Sequence, residues 1–383
     1  MNKMYDVAVI GAGVFGAWTA LQAARRGKSV VLLEAYGPGH SRSSSGDESR
    51  IIRMGYGRDE IYTRWSQRSL VQWKELFATV KQELFVKTGV IWLDWDYSER
   101  TRQTVKTFKN CGVPCEVFDD KKVLQLRYPQ INLGAIGFAI YEPESGVLLA
   151  RRAVRATLAE AIRLGVSYEH ALVQRPEGIG TLASIKTASG SEIRADNFVF
   201  ACGSWLPKMF PEILGHRFFV TRQEVFYFGL PAGDSRFSVG NLPTFLFQRQ
   251  EIYGMPSIED RGLKIAIDKH GANVDPDTQS RIVSEESAEE IKKHLAGLFP
   301  ALKDAPIAET RVCQYENTSN GDFLIDRHPE MENVWLAGGG SGHGFKHGPA
   351  FGEYVTGQLL DEIPAEPRFS LASKATEQHR AVY

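Results

Sequence analysis

Two hydrophobic periods alternate along this chain. Residues 5–10 form an apolar run, broken only by Asp6, that stops at Gly11-Ala12-Gly13-Val14-Phe15-Gly16. Apolar positions at helical spacing follow, then a second apolar run at 29–33 that ends in Glu34. This is the pattern of a buried parallel strand, a tight turn, a helix and a second strand. Residues 65–80 carry apolar positions at helical spacing, and 90–93 read as a strand after Gly89. Residues 147–164 read as a strand end and an amphipathic helix, with Gly165 as its stop. Residues 199–202 form a buried strand ending at Gly203, with Cys202 as a small core residue. Between 221 and 268 the period changes: short alternating or aromatic runs separated by Gly and Pro predict an antiparallel sheet. Ser287 and Glu290 predict a capping box for a helix through Leu298, with Glu285, Glu286, Glu289, Lys292 and Lys293 as its solvated face. A last strand at 334–337 opens into a glycine-rich turn and a helix from about 349 to 360.

The predicted fold class is therefore α/β, with an α+β second layer: a Rossmann-type domain and an interleaved catalytic domain built on an antiparallel sheet. Residues 1–85, 147–220 and 315–365 are assigned to the first, 86–146 and 221–314 to the second, and 366–383 to a polar C-terminal tail wrapped on the surface. Residues 36–58, rich in Gly, Ser and Arg, are expected as a long loop beside a cofactor.

The N-terminal unit is a dinucleotide fingerprint. Gly11 permits the tight turn, Gly13 lets the backbone approach a pyrophosphate, and Gly16 allows close helix–strand packing. The helix N-terminus offers N–H groups and partial positive charge to phosphates. Glu34 stands where an acid accepts hydrogen bonds from an adenosine ribose, about 20 residues on. A second match to the glycine pattern, Gly178-Ile179-Gly180-Thr181-Leu182-Ala183, lies among polar residues and reads as a hairpin loop. The turn Gly338-Gly339-Gly340-Ser341-Gly342-His343-Gly344-Phe345-Lys346 places another strand-to-helix mouth at the far end of the sequence. Two such mouths fit a long cofactor, one at the pyrophosphate and one at the far ring. A helix N-terminus there would stabilise negative charge on a reduced flavin.

Bulk properties narrow the class. A length of 383 residues predicts two domains. A net charge of −1 leaves no footprint for nucleic acid or a membrane surface. No apolar run approaches the roughly 18 residues of a membrane span. The first core strand begins at once, leaving no stretch for a signal peptide, so a cytoplasmic location is expected. Of the four cysteines, Cys111 and Cys115 have no companion pair at zinc spacing and read as free thiols; no metal site is assigned.

Several segments in order carry a family resemblance: the fingerprint, Gly46-Asp47-Glu48-Ser49-Arg50-Ile51-Ile52-Arg53, Tyr141-Glu142-Pro143-Glu144-Ser145-Gly146-Val147-Leu148, Ala201-Cys202-Gly203-Ser204-Trp205, Cys313-Gln314-Tyr315 and Gly342-His343-Gly344-Phe345-Lys346. Together, to about Leu360, they resemble the monomeric sarcosine oxidase and N-methyltryptophan oxidase group of the D-amino-acid-oxidase-like flavoproteins. The resemblance implies FAD, joined covalently through Cys313, and a monomer acting on a small amine or amino acid with O2 as electron acceptor. Expected cofactor contacts are Gly11, Gly13, Val14, Gly16, Glu34, Ala35, Arg42, Ser43, Ser44, Arg50, Val173, Gly203, Trp205, Cys313, Gly342, His343, Gly344, Phe345 and Lys346. His343 is read as structural within its turn, and His328, before Pro329, as a hydrogen-bonded turn residue.

The implied reaction removes a hydride equivalent from a carbon bearing an amine, yielding an imine and hydrogen peroxide. Arg53 and Lys346 match the substrate-carboxylate clamp of that group, and Lys264 its lysine for oxygen activation. Tyr253 and Tyr315 match aromatic residues of the substrate cavity. Two positions depart from the pattern: Ser45 and Asp268 stand where sarcosine-type relatives carry histidine, while His270 follows two residues on. Asp268 either holds a cationic substrate nitrogen or pairs with Lys264 or Lys269. The substrate expected is a carboxylate-bearing amine of unassigned side chain. A dehydrogenase that passes electrons to a carrier, a non-catalytic flavin-binding protein and a nicotinamide-only dehydrogenase are the alternatives.

Overall fold

The computed structural model describes residues 3–378; the last five residues of the expected tail lie outside the described residues. The strand Met4–Ile10 is central in a seven-stranded sheet. It pairs in parallel with Val30–Glu34 on one side and Glu192–Phe200 on the other. Buried on both faces, such strands need continuous apolar runs, which is why the sequence shows them without alternation. Ser167–His170 extends the sheet in parallel beyond Val30–Glu34, and Val334–Gly338 beyond Glu192–Phe200; Leu324–Arg327 closes that edge antiparallel.

The helices behind the two glycine turns pack on each other. Val14–Arg25 lies against Gly348–Leu359. The approach is close enough that a Cβ on Gly352 would sit 2.5 Å from the Trp18 backbone. The mouths at the two ends of the sequence are thereby neighbours in space.

The second sheet has eight strands, in the order Ile307–Thr318, Phe218–Phe228, Leu263–Ile267, Ile252–Met255, Thr244–Phe247, Val90–Asp94, Phe138–Glu142 and Glu116–Phe118. Its pairings are antiparallel with one exception: Thr244–Phe247 runs parallel to Val90–Asp94. The expected antiparallel sheet is thus mixed, because the chain returns from a distant segment to extend it. Strand alternation divides its faces. Phe226, Phe228, Leu263 and Ile265 pack with Ile291 and Leu295 of the helix Glu285–Leu298. Val225, Tyr253, Met255 and Lys264 point the other way and line a cavity.

Other expectations shift. The helix predicted from residue 65 begins at Glu60. The cap of Glu285–Leu298 is Ser284, whose hydroxyl accepts from Ser287 N–H at 3.1 Å; Ser287 is the third helical residue, not the cap. The loop 36–58 contains a short strand, Arg50–Ile52, paired with Gly146–Leu148. Cys202 lies just beyond the strand Glu192–Phe200; half-buried, it packs against the core under the parallel sheet, as expected, and also lines the cavity. His328 is the expected turn residue: its Nδ1 accepts from the N–H groups of Glu330 and Met331, each at 3.1 Å. Among the described residues no helix is long and apolar enough to cross a membrane, and no His/Cys/Asp/Glu group is placed to hold a metal ion.

Candidate active site

A cavity of about 450 Å³ runs from the ends of the parallel strands to the far face of the eight-stranded sheet. Its size is that of a cofactor or substrate pocket. One end is walled by Gly11, Gly13, Glu34, Ala35, Val173, Gly203 and Trp205. Backbone geometry explains the glycines. Gly11 has φ +104, and a Cβ there would lie 2.5 Å from the Ala201 carbonyl oxygen. A Cβ on Gly16 would lie 1.8 Å from the Gly11 carbonyl oxygen. Gly16 therefore packs behind the turn and does not line the cavity.

Part of the expected anion cradle is already committed. Ala12 N–H donates to Glu34 Oε2 at 2.7 Å, and Val14 N–H donates to Ser45 Oγ at 3.1 Å. Ser45 thus ties the loop to the glycine turn. Glu34 also accepts from Tyr36 N–H at 2.9 Å, which fixes its carboxylate at the cavity wall with lone pairs to spare. Burial raises its pKa. Ser43 and Ser44 line the wall, Ser44 bonded to the Gln314 carbonyl at 2.8 Å. Arg42 does not line it: the guanidinium lies over Tyr36 and donates to the Asp277 carbonyl at 2.9 Å.

The second glycine turn closes the middle of the cavity. Gly342 has φ +76 and would place a Cβ 2.7 Å from the Tyr315 ring. Gly344 packs on Phe15, and Phe345 lies parallel to Trp73. His343 bonds Tyr56 Oη at 3.1 Å and the Gly321 carbonyl at 3.0 Å, the structural role expected of it. Glu316 beneath this turn was missed in the sequence. Burial pushes its carboxyl up to about 8, although the N–H groups of Gly339 and Gly340 act against this. Its Oε1 has no protein partner, leaving a polar atom for a ligand.

At the far end lies a charged triad that the sequence only half disclosed. Lys264, on an inward strand position, is buried and donates to Asp47 Oδ2 at 2.6 Å and to the Ser49 carbonyl at 2.9 Å. Arg50 also donates to Asp47, and to Cys313 Sγ at 3.4 Å. Burial alone would raise Asp47, but Lys264 and Arg50 hold it well below the usual carboxylate range. One anion shared by two cations leaves Lys264 the weaker claimant. Burial draws its pKa down, and Arg50 repels it. Asp47 carried a signal that went unused: an acid between glycine and arginine in a segment otherwise read as loop.

The carboxylate-binding pair is also assembled. Arg53 is buried, with its guanidinium 4.6 Å from the Tyr56 ring centre and 4.7 Å from that of Trp92. It donates to the Gly55 carbonyl. Lys346 donates to the His343 carbonyl at 2.8 Å and lies 5.1 Å from the Tyr56 ring centre. Burial, then Arg53, pull Lys346 well below its ordinary range. Two cations thus share one ring in a buried corner, with Asp268 and Glu142 as the opposing charges that act on Lys346.

Glu142, also missed as a site residue, holds this corner. Its Oε1 accepts from Trp92 Nε1 at 2.7 Å and Gly55 N–H at 3.0 Å; its Oε2 accepts from Met54 N–H at 2.7 Å and from Ser145 Oγ. In Glu142→Gln the amide nitrogen can only donate, so two donors lose their acceptor. We expect a loss of about 1–3 kcal/mol in unfolding free energy, read by chemical denaturation, together with a raised KM for carboxylate substrates.

Tyr253 and Tyr315 line the cavity, and Asp268 accepts from Tyr315 Oη at 2.9 Å. Asp268 therefore pairs neither with Lys264, which Asp47 holds, nor with Lys269, which is exposed.

A parallel sheet with two glycine mouths opening on one cavity, facing a second sheet that carries fixed charges, defines a dinucleotide-dependent oxidoreductase. The chain belongs to the FAD dependent oxidoreductase family, which matches residues 6–358. It is 30% identical to the monomeric sarcosine oxidase of Streptomyces avermitilis over 96% of each chain. It is 28% identical to the N-methyl-L-tryptophan oxidase of Salmonella arizonae, covering 94% of this chain and 96% of that one. The L-proline dehydrogenase structure from P. horikoshii superposes with a TM-score of 0.82 at 22% identity, covering 97% of this chain and 98% of that one.

Proposed function

We propose that this protein is an FAD-dependent amine or amino-acid oxidase whose substrate carries a carboxylate. The observation that carries the reading is the placement of Arg53, Lys346, Lys264, Tyr253, Tyr315 and Asp268 around the same cavity as the glycine mouths. The cavity fits FAD. Gly11 and Gly342 leave no space for side chains, Glu34 is fixed at the wall, and Glu316 presents a polar atom without a partner. Glycine turn, Glu34, Ala35, Val173, Gly203 and Trp205 would hold its adenosine and pyrophosphate, and the 342–346 turn, Arg50 and Cys313 its flavin. FAD, when bound, supplies the two-electron acceptor that takes a hydride from the carbon beside nitrogen and delivers the electrons to oxygen.

The side chains do the rest. Arg53 offers a planar fork to the substrate carboxylate and Lys346 adds a point charge. Aromatic walls and buried charges exclude water, which strengthens both contacts. Lys264, fixed by Asp47, supplies positive charge for oxygen as it gains electrons. The imine product hydrolyses in water. Cys313 is buried at the cavity wall with Arg50 at its sulfur, which supports reading it as the residue that would hold the flavin covalently. In solution the protein is read as a monomer, as the name of the Streptomyces sarcosine oxidase says of that enzyme, and the cytoplasmic location remains the reading made from the sequence.

The test is a panel of amines and amino acids scored by peroxide release. Turnover with peroxide on carboxylate-bearing amines is expected. Anaerobic bleaching of the flavin without peroxide in air would replace the oxidase with a dehydrogenase, and no bleaching by any amine would exclude catalysis. The link has its own test. Acid-precipitated wild-type protein should keep its yellow colour in the pellet, whereas Cys313→Ser should release it to the supernatant. Release from both would remove the thioether.

A further inference from the structure

We propose that Asp268 holds the substrate's ammonium group, so that the cavity selects zwitterionic amino acids over carboxylates lacking a charged nitrogen. This rests on the carboxylate-clamp reading of Arg53 and Lys346.

Asp268 follows the strand Leu263–Ile267 and is half-exposed, on the cavity wall. Its Oδ1 is occupied by Tyr315 Oη at 2.9 Å, and among the described residues no hydrogen bond is made to its Oδ2. Burial, and the acid itself, keep the Tyr315 phenol well above its ordinary range, so it stays a donor and orients the carboxylate. Of the cations near Asp268 in sequence or strand, two are held by other groups and one points to solvent. Lys264 is held by Asp47, Lys269 is exposed, and His270 bonds Gln378 at 3.0 Å. The remaining positive charges that act on Asp268 are Arg53 and Lys346, which lower its pKa against the larger effect of burial.

The cavity thus displays two cations and one anion within electrostatic reach of each other. That is the mirror of an α-amino acid: a carboxylate for the cations and an ammonium for Asp268. A ligand with only the carboxylate gains from the clamp but faces Asp268 unpaired, a repulsive element that discriminates against it.

The test uses two probes of nearly identical shape, 2-aminoisobutyrate and pivalate, which differ by an ammonium in place of a methyl. Neither has a hydrogen on the carbon next to the carboxylate, so neither is turned over there. Binding to the flavin-loaded enzyme is measured by calorimetry and by perturbation of flavin absorbance. Wild type should bind 2-aminoisobutyrate about tenfold to a hundredfold more tightly than pivalate, the range of a charge-assisted hydrogen bond. Asp268→Asn should erase that preference, by weakening 2-aminoisobutyrate and tightening pivalate. Equal affinity in wild type, or an unchanged preference in Asp268→Asn, overturns the proposal. If the variant does not fold, the wild-type ratio decides alone. Pivalate bound as tightly as 2-aminoisobutyrate leaves the clamp standing and removes only the ammonium site. Failure of both probes to bind wild type overturns the clamp itself and this proposal with it.

Discussion

Lys264→Met enzyme is expected to be reduced by substrate at close to the normal rate, and then to react with oxygen about 10²–10³-fold more slowly, the usual loss when one preorganised electrostatic group is removed. Lys264 carries its charge in a dry setting, under the same cavity that the substrate enters. Its hydrogen bonds go to Asp47 and Ser49, away from the carboxylate-binding residues, so substrate binding has no reason to change. The substitution is also tolerable structurally. Met is close to Lys in length, and Asp47 keeps Arg50 and the hydroxyl of Tyr227, which donates to it at 3.1 Å. Asp47 is a less informative target, because its removal would leave two buried cations facing each other. Stopped-flow traces of the reductive and oxidative halves separate the outcomes. Equal slowing of both halves would assign Lys264 to general architecture, and an unchanged oxidative half would remove the oxygen role.

The parallel layer was legible because its physics is local. Central strands need unbroken apolar runs, and a turn at φ +104 admits only glycine, so residues 4–34 announce themselves. Lys264 was legible from alternation, since a lysine at an inward strand position needs a reason. What escaped were the long-range partners. Asp47 and Lys264 lie 217 residues apart, and Glu142 reaches Met54 across 88. No periodicity links such positions. The parallel pairing of Thr244–Phe247 with Val90–Asp94 was hidden for the same reason: each run reads as a strand, but register between distant segments is fixed by tertiary packing. Arg42 misled because an arginine in a loop beside a phosphate turn fits an anion equally well whether it points inward or, as here, onto Tyr36. Ser45 shows the converse. Its meaning lay in the neighbour it meets, the N–H of Val14.

Arg53→Ala is expected to lower kcat/KM for carboxylate-bearing amines by about 2–5 kcal/mol, the loss on truncating one partner of a buried, hydrogen-bonded charge pair. The reason is geometric. Tyr56 and Trp92 flank the guanidinium at 4.6 and 4.7 Å, and Glu142 fixes the Trp92 indole and the backbone beneath it. Nothing else in the corner can supply a planar fork. Lys346 remains, but as a point charge whose ammonium form is already disfavoured by burial. Most of the effect should appear in KM, since the carboxylate is bound alike before and during hydride removal. Arg53→Lys should recover only part of it, because an ammonium cannot bond both oxygens in the arginine plane. An amine substrate without a carboxylate should be indifferent to either change. If wild-type and Arg53→Ala enzymes share the same KM for a carboxylate substrate, the clamp lies elsewhere. If an amine lacking the carboxylate suffers equally, Arg53 shapes the cavity without reading the acid.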